Sequence, residues 1–477
     1  MKASPIAFRD PAGFLYDVNG RIIRAIVAGG VGDLNSFFAS ETVREFMEYG
    51  KIVGTKELAR NEVDALEMLE ESVRNMPVVL EHERIFQSYP YEWSPEMLYA
   101  AGNLTLDLAE GLLKDGLGLK DATPFNVLFK GADPVFVDVM SVEKREPCDA
   151  TWTPYAQFIR TFILPLMVYG KYGLTNDRLF LTKRDGLEPA EVYNLLSMHK
   201  RLLPSNMSLV TMPTLLGDRK GALRQNTYSA RKVSSSEKAQ FILRMQFRSL
   251  RKHLKRHQPK AGRTSQWTEY LEPAGVHSEN YISAKEAFVD HALAECRPQK
   301  VLDVGCNDGH FSVRAARAGA DVVALDADEA VVGPLWTRAQ SEGLSILPLV
   351  SNIANPTPTT GWRNRERASL LDRIEGKFDM VMMLAVIHHM LVTERIPLSE
   401  IIDLAADVTT NYAIIEYIDT NDRMFKTIAR GRDDLHSELS RDNFESACSE
   451  RFRVIRKEMM LNEDRWIYLL QKHNIDC

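Results

Sequence analysis

Apolar residues in the last part of the chain occur in short runs that alternate with helical patterns. Five runs have the length and the content of branched and aromatic residues typical of buried strands. They are Lys300–Val304, Asp321–Leu325, Ser345–Leu349, Phe378–Leu384 and Tyr412–Tyr417. Strands that alternate with helices predict an α/β fold with a doubly wound parallel sheet. Two later runs, 452–459 and 466–470, flank a polar turn and predict a hairpin at the edge of that sheet.

The first part of the chain has a different pattern. The runs GFLYDV and RIIRAIV alternate in polarity on either side of Asn19-Gly20, which is a strong signal for a hairpin. Helical patterns follow at Ser40–Tyr49 and Pro95–Lys114, and the second begins with a serine cap and a proline. Two short strands are predicted at Asn126–Lys130 and Pro134–Val139. This mixture predicts a separate α+β domain.

A basic segment separates the two patterns. Between Arg244 and Arg263 the chain has eight lysines and arginines and no acidic residue. Apolar residues recur there at helical spacing, namely Leu243, Phe247, Leu250 and Leu254. One interpretation is a connecting helix that packs this stripe and solvates its charges, and the other is a dock for an anionic substrate, nucleic acid or membrane surface. The predicted boundaries are 1–232, 233–275 and 276–477.

Composition narrows the class of protein. A chain of 477 residues is too long for one core, and a net charge of −6 gives no overall attraction to nucleic acid or anionic lipid. The five cysteines are scattered and form no CxxC pair, which favours a reducing compartment. The N-terminus lacks the apolar core of a signal peptide, and the best apolar run, Phe162–Tyr169, is too short to span a bilayer. We therefore expect a cytoplasmic protein without a membrane partner.

The sequence VLDVGCNDGH predicts a ligand site at the end of the first strand of the sheet. Ligands of such sheets bind beyond the carboxyl ends of the strands. A dinucleotide fingerprint counted from Gly305 would need glycines where Asn307 and His310 stand, and no Gly-Lys-Ser/Thr follows for a phosphate loop. The remaining pattern is D-x-G-x-x-x-G, made by Asp303, Gly305 and Gly309.

This pattern resembles motif I of the class I S-adenosylmethionine (SAM) methyltransferases. The resemblance extends from Tyr281 to the C-terminus, because the second strand ends in Asp326 and the fourth, FDMVMMLAVIHHM, resembles motif IV. It implies that the glycine turn receives the methionine end of SAM, that Asp326 binds the ribose hydroxyls and that Asn352 stands near the adenine amine. The implied cofactor-binding residues are Asp303, Gly305, Cys306, Asn307, Gly309, Asp326, Ala327, Asn352, Ile353 and Leu384.

Candidates for catalysis and substrate binding follow the third, fourth and fifth strands. His388 or His389 could act as a general base where the methyl group emerges, or one could be packed or cap the next helix. Glu416 ends the fifth strand, is expected to face the rim of the pocket and is a further candidate base or substrate ligand. The connection after the third strand is rich in recognition side chains, and it is interpreted either as a substrate wall or as a solvated helix start. These side chains are Trp362, Arg363, Arg365 and Arg367.

The first domain contains LKDATPFNVLFKGADPVFVDVMS. The spacing of Asp121, Asn126 and Asp138 resembles the loops of the protein-kinase and aminoglycoside-phosphotransferase fold. That resemblance implies that Asp121 orients a hydroxyl and that Asn126 and Asp138 hold Mg²⁺ with ATP. Lys120 departs from the pattern, no glycine-rich loop is evident, and Arg24 is the cation nearest to the expected strand lysine. Three interpretations stay open: a degenerate kinase-like scaffold, an active phosphotransferase, or a chance resemblance.

The whole arrangement resembles bacterial nodulation-type methyltransferases. The blocks that carry this resemblance are YPYEW, LKDATPFN, WTPYAQF and NPTP with GWRNRER. It implies a SAM-dependent methyltransferase that modifies an oxygen of a small polar molecule, such as a sugar or a secondary metabolite, with the first domain assisting substrate binding. The alternatives are a protein or nucleic-acid methyltransferase, a bifunctional methyltransferase and phosphotransferase, and a non-catalytic SAM sensor. Nucleic acid is not the expected partner, and the sequence predicts neither the acceptor nor the oligomeric state.

Overall fold

A computed structural model of the chain describes residues 5–7, 9–218, 231–260, 279–430, 439–461 and 464–473. The chain divides into two compact units, Met1–Lys260 and Ala261–Cys477. Within the described residues, no helix combines the length and the apolar character needed to cross a membrane.

The first unit begins with an antiparallel sheet of five strands in the order β1-β2-β3-β5-β4. The strands are β1 (Pro5–Ala7), β2 (Gly13–Val18), β3 (Arg21–Ile26), β4 (Thr55–Glu57) and β5 (Val78–His82). The helices between β3 and β5 are α1 (Val31–Ala39), α2 (Glu41–Glu48), α3 (Arg60–Asp64) and α4 (Glu71–Arg74). Asn19 and Gly20 both have positive φ, of 53° and 83°, so the predicted hairpin is confirmed with the turn that these two residues favour.

A long helix and two small strand pairs follow. Helix α5 (Pro95–Lys114) has the predicted bounds, and the Ser94 hydroxyl accepts a hydrogen bond from the Met97 amide at its start. The strands are β6 (Leu117–Leu119), β7 (Val127–Lys130), β8 (Asp133–Phe136) and β9 (Val142–Lys144). β7 pairs with β8 as a hairpin, and β6 pairs with β9. The later helices are α6 (Tyr155–Phe158), α7 (Leu164–Tyr172), α8 (Asn176–Phe180), α9 (Pro189–Leu195), α10 (Met198–Arg201), α11 (Pro204–Asn206) and α12 (Met212–Asp218), with π-helical turns at Ile159–Ile163 and Met207–Thr211.

The basic segment forms helix α13 (Ser236–Arg256), which lies within the first unit. Its four predicted apolar positions are buried, and the helix packs against α5. Arg251 pairs with Asp107 at 2.8 Å and with Glu110 at 3.1 Å, both on α5. The helix therefore packs its apolar stripe onto its own unit, as the first interpretation expected, instead of standing between the units as a separate segment. Residues 261–275, the rest of the predicted segment 233–275, lie outside the described residues.

The second unit is built on a sheet of seven strands in the order β12-β11-β10-β13-β14-β16-β15. The strands are β10 (Lys300–Val304), β11 (Asp321–Asp326), β12 (Ile346–Val350), β13 (Phe378–Met383), β14 (Thr409–Ile418), β15 (Phe452–Leu461) and β16 (Arg465–Lys472). The first five are parallel, and β16 pairs antiparallel with both β14 and β15, which makes the sheet mixed. The helices are α14 (Glu279–Cys296), α15 (His310–Arg317), α16 (Glu329–Glu342), α17 (Leu370–Ile374), α18 (Ile387–Val392), α19 (Leu398–Val408), α20 (Arg423–Ala429) and α21 (Arg441–Arg451).

The order of this sheet reverses at β10, since β11 and β12 lie on one side of it and β13 and β14 on the other. Such a reversal opens a crevice at the carboxyl ends of the central strands. The predicted parallel sheet with its edge hairpin is confirmed, and its geometry fixes where a ligand can bind.

Candidate functional site in the second unit

A pocket of about 340 Å³ lies at the carboxyl ends of β10, β11, β12 and β13. The turns after these four strands form most of its wall, and helix α14 adds Lys285. Nine of the ten predicted cofactor residues line it: Asp303, Gly305, Cys306, Asn307, Asp326, Ala327, Asn352, Ile353 and Leu384. The tenth, Gly309, is the residue before α15 and lies outside the lining.

The glycine turn after β10 requires backbone conformations that ordinary side chains disfavour. Gly305 and Gly309 have φ of 74° and 78°, in the left-handed region. A Cβ at Gly305 would lie 2.8 Å from Cγ2 of Val386, and one at Gly309 would overlap the side chain of Leu335. Both glycines are therefore required by close packing as well as by conformation. Asn307 between them also has a positive φ of 50°.

Two carboxylates are held at the strand ends by hydrogen bonds. Asp303 is buried, it accepts a hydrogen bond of 2.6 Å from the Ser312 hydroxyl, and burial raises its pKa to about 6. Asp326 accepts hydrogen bonds from the backbone amides of Asn307 (2.8 Å) and Asp328 (2.9 Å), and burial raises its pKa despite them. Anionic oxygens at this depth are costly unless a cation or a donor joins them. The pocket therefore suits a ligand with a positive charge and hydroxyl groups.

Two further polar atoms at the pocket have no partner within the described residues. These are Oδ1 of Asn307 and Oγ of Ser351, both of which are buried. Buried polar atoms are normally hydrogen-bonded, so both point to a ligand that supplies the partner. Asn352 is exposed, and its Oδ1 accepts a hydrogen bond from the Ala354 amide at 2.9 Å. That bond leaves the oxygen a second lone pair for the predicted contact with adenine.

The candidate bases have different positions. His389 lines the pocket, and burial lowers its pKa, so its imidazole is neutral near pH 7. His388 is only 1 % exposed and does not line the pocket, which fits the packed alternative. Glu416 does not reach the rim as expected, because it is fully buried and holds Lys285 at 2.7 Å. The geometry therefore favours His389 among the three predicted catalytic residues.

The side chains of the predicted substrate wall are not part of the lining of this pocket. Trp362, Arg363 and Arg365 are exposed and Arg367 is half-buried, and none of the four lines the pocket. The loop is closed by a bridge between Thr360 and Arg367. These side chains form a structured surface loop, and their proposed role toward a substrate stays a prediction.

Sequence reasoning missed several lining residues. They include Lys285, Phe311, Ala385, Val386 and Glu394. A signal for Lys285 was present, because it follows Tyr281 by one helical turn and precedes Phe288 by another. A lysine on an otherwise buried helix face needs a partner, and here the partner is Glu416. Ala385 has a positive φ of 55°, which no feature of the sequence predicted.

The loops that resemble those of kinases belong to the first unit and fall within the described residues. The Asp121 carboxylate accepts a hydrogen bond of 3.0 Å from the Gln157 amide, and the buried Nδ2 of Asn126 has no partner within the described residues. Arg24 on β3 lies 3.7 Å from Asp138 and 3.0 Å from Asp10. Among the described residues, no cluster of three or more histidine, cysteine or acidic side chains could hold a metal ion.

The chain matches one family of proteins over part of its length and is similar in sequence to individual proteins. Residues 277–451 match the family described as "Methyltransferase domain". The chain is 27 % identical over 473 residues to "Nodulation protein NoeA" of Rhizobium meliloti (strain 1021), which covers 98 % of this chain and 95 % of that protein. It is also 32 % identical over 90 residues to a ubiquinone biosynthesis O-methyltransferase of Caulobacter sp. (strain K31), which covers 19 % of this chain and 30 % of that protein.

Among solved structures, magnesium protoporphyrin IX methyltransferase from Synechocystis PCC 6803 with bound SAH covers 45 % of this chain and 90 % of that chain. Its sequence identity is 18 % and its TM-score 0.31, which is too low to support an inference. The methyltransferase family does not extend over the first unit, so the kinase-like interpretation of that unit is not confirmed and a Mg·ATP cofactor is not supported. The prediction of the enzyme class is confirmed: the chain is a SAM-dependent methyltransferase with its methyltransferase domain at residues 277–451.

Proposed function

We propose that the chain transfers the methyl group of SAM to an oxygen of a small polar molecule. The main supporting observation is the pocket, in which a buried carboxylate (Asp303) and a half-buried one (Asp326) lie at adjacent strand ends and His389 lines the wall beyond β13. Methyl transfer to a hydroxyl is assisted by a base that takes up the proton, and the neutral imidazole of His389 in the lining can do so. The similarity to a ubiquinone biosynthesis O-methyltransferase supports oxygen as the acceptor atom. The similarity to a nodulation protein extends along almost the whole chain, so it includes the first unit as well as the methyltransferase domain.

The experiment that tests this proposal uses bacterial extract and SAM with an isotopically labelled methyl group. We expect the label to appear in a small polar compound as a methyl ether or ester, identified by mass spectrometry. Label in protein or nucleic acid would overturn the small-molecule proposal. In that case binding should fall steeply with salt and should depend on Lys252 and Lys255 of α13. SAM binding without any labelled product would instead favour a sensor.

The Asp303→Asn substitution is expected to weaken SAM binding about 10- to 100-fold. The carboxylate would pair with the positively charged methionine end, and such charge-assisted hydrogen bonds contribute about 1.5–3 kcal/mol. The pKa of Asp303 is raised to about 6, so protonation should weaken SAM binding as the pH falls below that value. Calorimetric titration between pH 5 and pH 8 measures both effects.

The matched control is Asp321→Asn at the opposite end of the neighbouring strand β11. It removes one carboxylate and should leave SAM affinity and its pH dependence unchanged. The Asp303→Asn protein should bind SAM weakly with an almost flat pH profile. A steep profile that persists in Asp303→Asn would show that another group titrates.

We further propose that the first unit assists acceptor binding and does not use ATP. Arg24 stands where a phosphate-binding cation would be required, but Asp10 and Asp138 already engage it. Asp10 lies in the connection between β1 and β2, and its negative charge disfavours phosphate there. Residues Asn126 and Asp138 could supply oxygen ligands to Mg²⁺, but the guanidinium beside Asp138 competes with a cation.

The corresponding prediction is that Asp138→Ala leaves the affinity for ATP unchanged, at the level of non-specific binding. Fluorescent ATP titrations with and without Mg²⁺ measure it. Mg²⁺-dependent ATP binding in the wild type that is lost in Asp138→Ala, but retained in the control Asp133→Ala, would contradict the proposal.

A further inference from the structure

Lys285 belongs to a buried network of charged side chains behind the pocket. Its ammonium donates a hydrogen bond of 2.7 Å to Glu416, which also accepts one from the Tyr281 hydroxyl. Arg465 lies 3.6 Å from Glu416 and pairs with Asp422 at 2.9 Å. These residues are at most 5 % exposed, so their charges interact with little screening by solvent.

The network has two cations and two carboxylates, but only one of its members lines the pocket. That member is Lys285, and it is the only lysine or arginine in the lining among the described residues. Glu416 does not line the pocket, and it accepts one of the three N–H groups of the ammonium. Glu416 therefore holds the lysine from behind, and the ammonium keeps donors for a ligand.

The surroundings of Lys285 place it near the glycine turn. Its ammonium lies 5.1 Å from the ring centre of Phe311, in the first turn of α15, and its charge acts on Asp303 at the end of β10. Asp326 and Asn352 line the pocket at the ends of β11 and β12, farther along the sheet. A ligand whose ribose is at Asp326 would thus extend its amino-acid end toward Asp303 and Lys285.

The amino-acid end of SAM carries an ammonium and a carboxylate. The ammonium can pair with Asp303, but the acidic residues of the lining would repel the carboxylate unless a cation neutralised it. We propose that Lys285 binds the carboxylate of SAM and that Glu416 is the positioning residue that orients it. This inference rests on the proposed placement of SAM in the pocket and adds the determinant that distinguishes SAM from a ligand without a carboxylate.

The test compares SAM with decarboxylated SAM, which keeps the sulfonium and the ammonium and lacks the carboxylate. Calorimetry on the full chain should show that the wild type binds SAM about 10- to 100-fold more tightly, the range expected for a charge-assisted hydrogen bond. In Lys285→Met, affinity for SAM should fall until this preference disappears, while affinity for decarboxylated SAM stays within about threefold. The control Lys377→Met, at an exposed position in the same unit, should keep the wild-type preference.

Loss of the lysine removes one of the two cations that compensate the buried negative charge of Glu416, so the single variant could unfold. The double variant Lys285→Met/Glu416→Gln removes both charges and keeps the side-chain volumes, and it should lose the preference in the same way. Equal weakening of both ligands, or a preference that survives in the double variant, would overturn the proposal. If the wild type did not bind SAM at all, the placement of SAM in this pocket would be wrong. The proposed role of Lys285 depends on that placement and would then be wrong as well.

Discussion

Replacing His389 by glutamine is expected to lower the rate of methyl transfer by at least about 10²-fold, the lower end of the range for general acid–base catalysis. The imidazole lines the pocket, and burial lowers its pKa, so it is neutral and able to accept the proton of an acceptor hydroxyl. Glutamine fills a similar volume but cannot take up that proton. The measurement is the single-turnover rate with the acceptor identified by labelling, together with the affinity for SAH, which should stay within about threefold.

The same substitution one residue earlier provides the control for this effect. His388 is buried outside the lining, so His388→Gln should reduce stability and leave the turnover rate of the folded enzyme close to that of the wild type. If both variants lost activity to the same extent, or if His389→Gln retained the wild-type rate at saturating acceptor, another group would have to be the base.

Replacing Glu416 by alanine should lower the free energy of unfolding of the second unit by about 3–5 kcal/mol, the cost typical of breaking a buried ion pair. Lys285 would lose the carboxylate that compensates its charge in a buried region, and Arg465 would keep only its pair with Asp422. Burial alone would raise the pKa of Glu416, but these two cations hold it below its ordinary value, so the carboxylate is ionised at neutral pH. Calorimetric unfolding of the full chain should show one transition shifted to lower temperature.

The comparison variant is Glu458→Ala on β15, which removes an exposed carboxylate from the same sheet. Exposed substitutions usually change stability by less than about 0.5 kcal/mol. A similarly small change for Glu416→Ala would mean that water or a rearranged side chain compensates the charge of Lys285. The network would then contribute little to the stability of the unit.

The strand pattern and the glycine turn were accessible to sequence reasoning because both depend on local chemistry. The run Lys300–Val304 was predicted with its bounds, and the lining of the pocket by Asp303, Gly305 and Asp326 follows from the order of the strands. The turn allows few residues at its glycine positions, so a short motif was sufficient to locate it. The spacing of the glycines excluded the dinucleotide fingerprint, and the resemblance to motif I then implied SAM as the ligand.

Other residues were misplaced because their roles depend on contacts between distant segments. Glu416 was expected at the rim from its position at a strand end, but helix α14 brings Lys285 and Tyr281 over it. Adjacent histidines have the same sequence context, and only the start of α18 decides which of them turns toward the pocket. The side chains of Trp362 and its neighbours lie outside the lining of this pocket, and their role toward a substrate stays a prediction.

The sequence by itself determined the alternation of strands and helices, the hairpin at Asn19-Gly20 and the acidic glycine turn, because each depends on residues close together in the chain. Only the tertiary structure decided that Lys285 reaches the pocket, that Glu416 is buried behind it and that α13 packs on α5. These outcomes depend on side chains that are more than a hundred residues apart in the chain. Their pairing is set by the low dielectric and close packing of the folded interior, which no local pattern encodes.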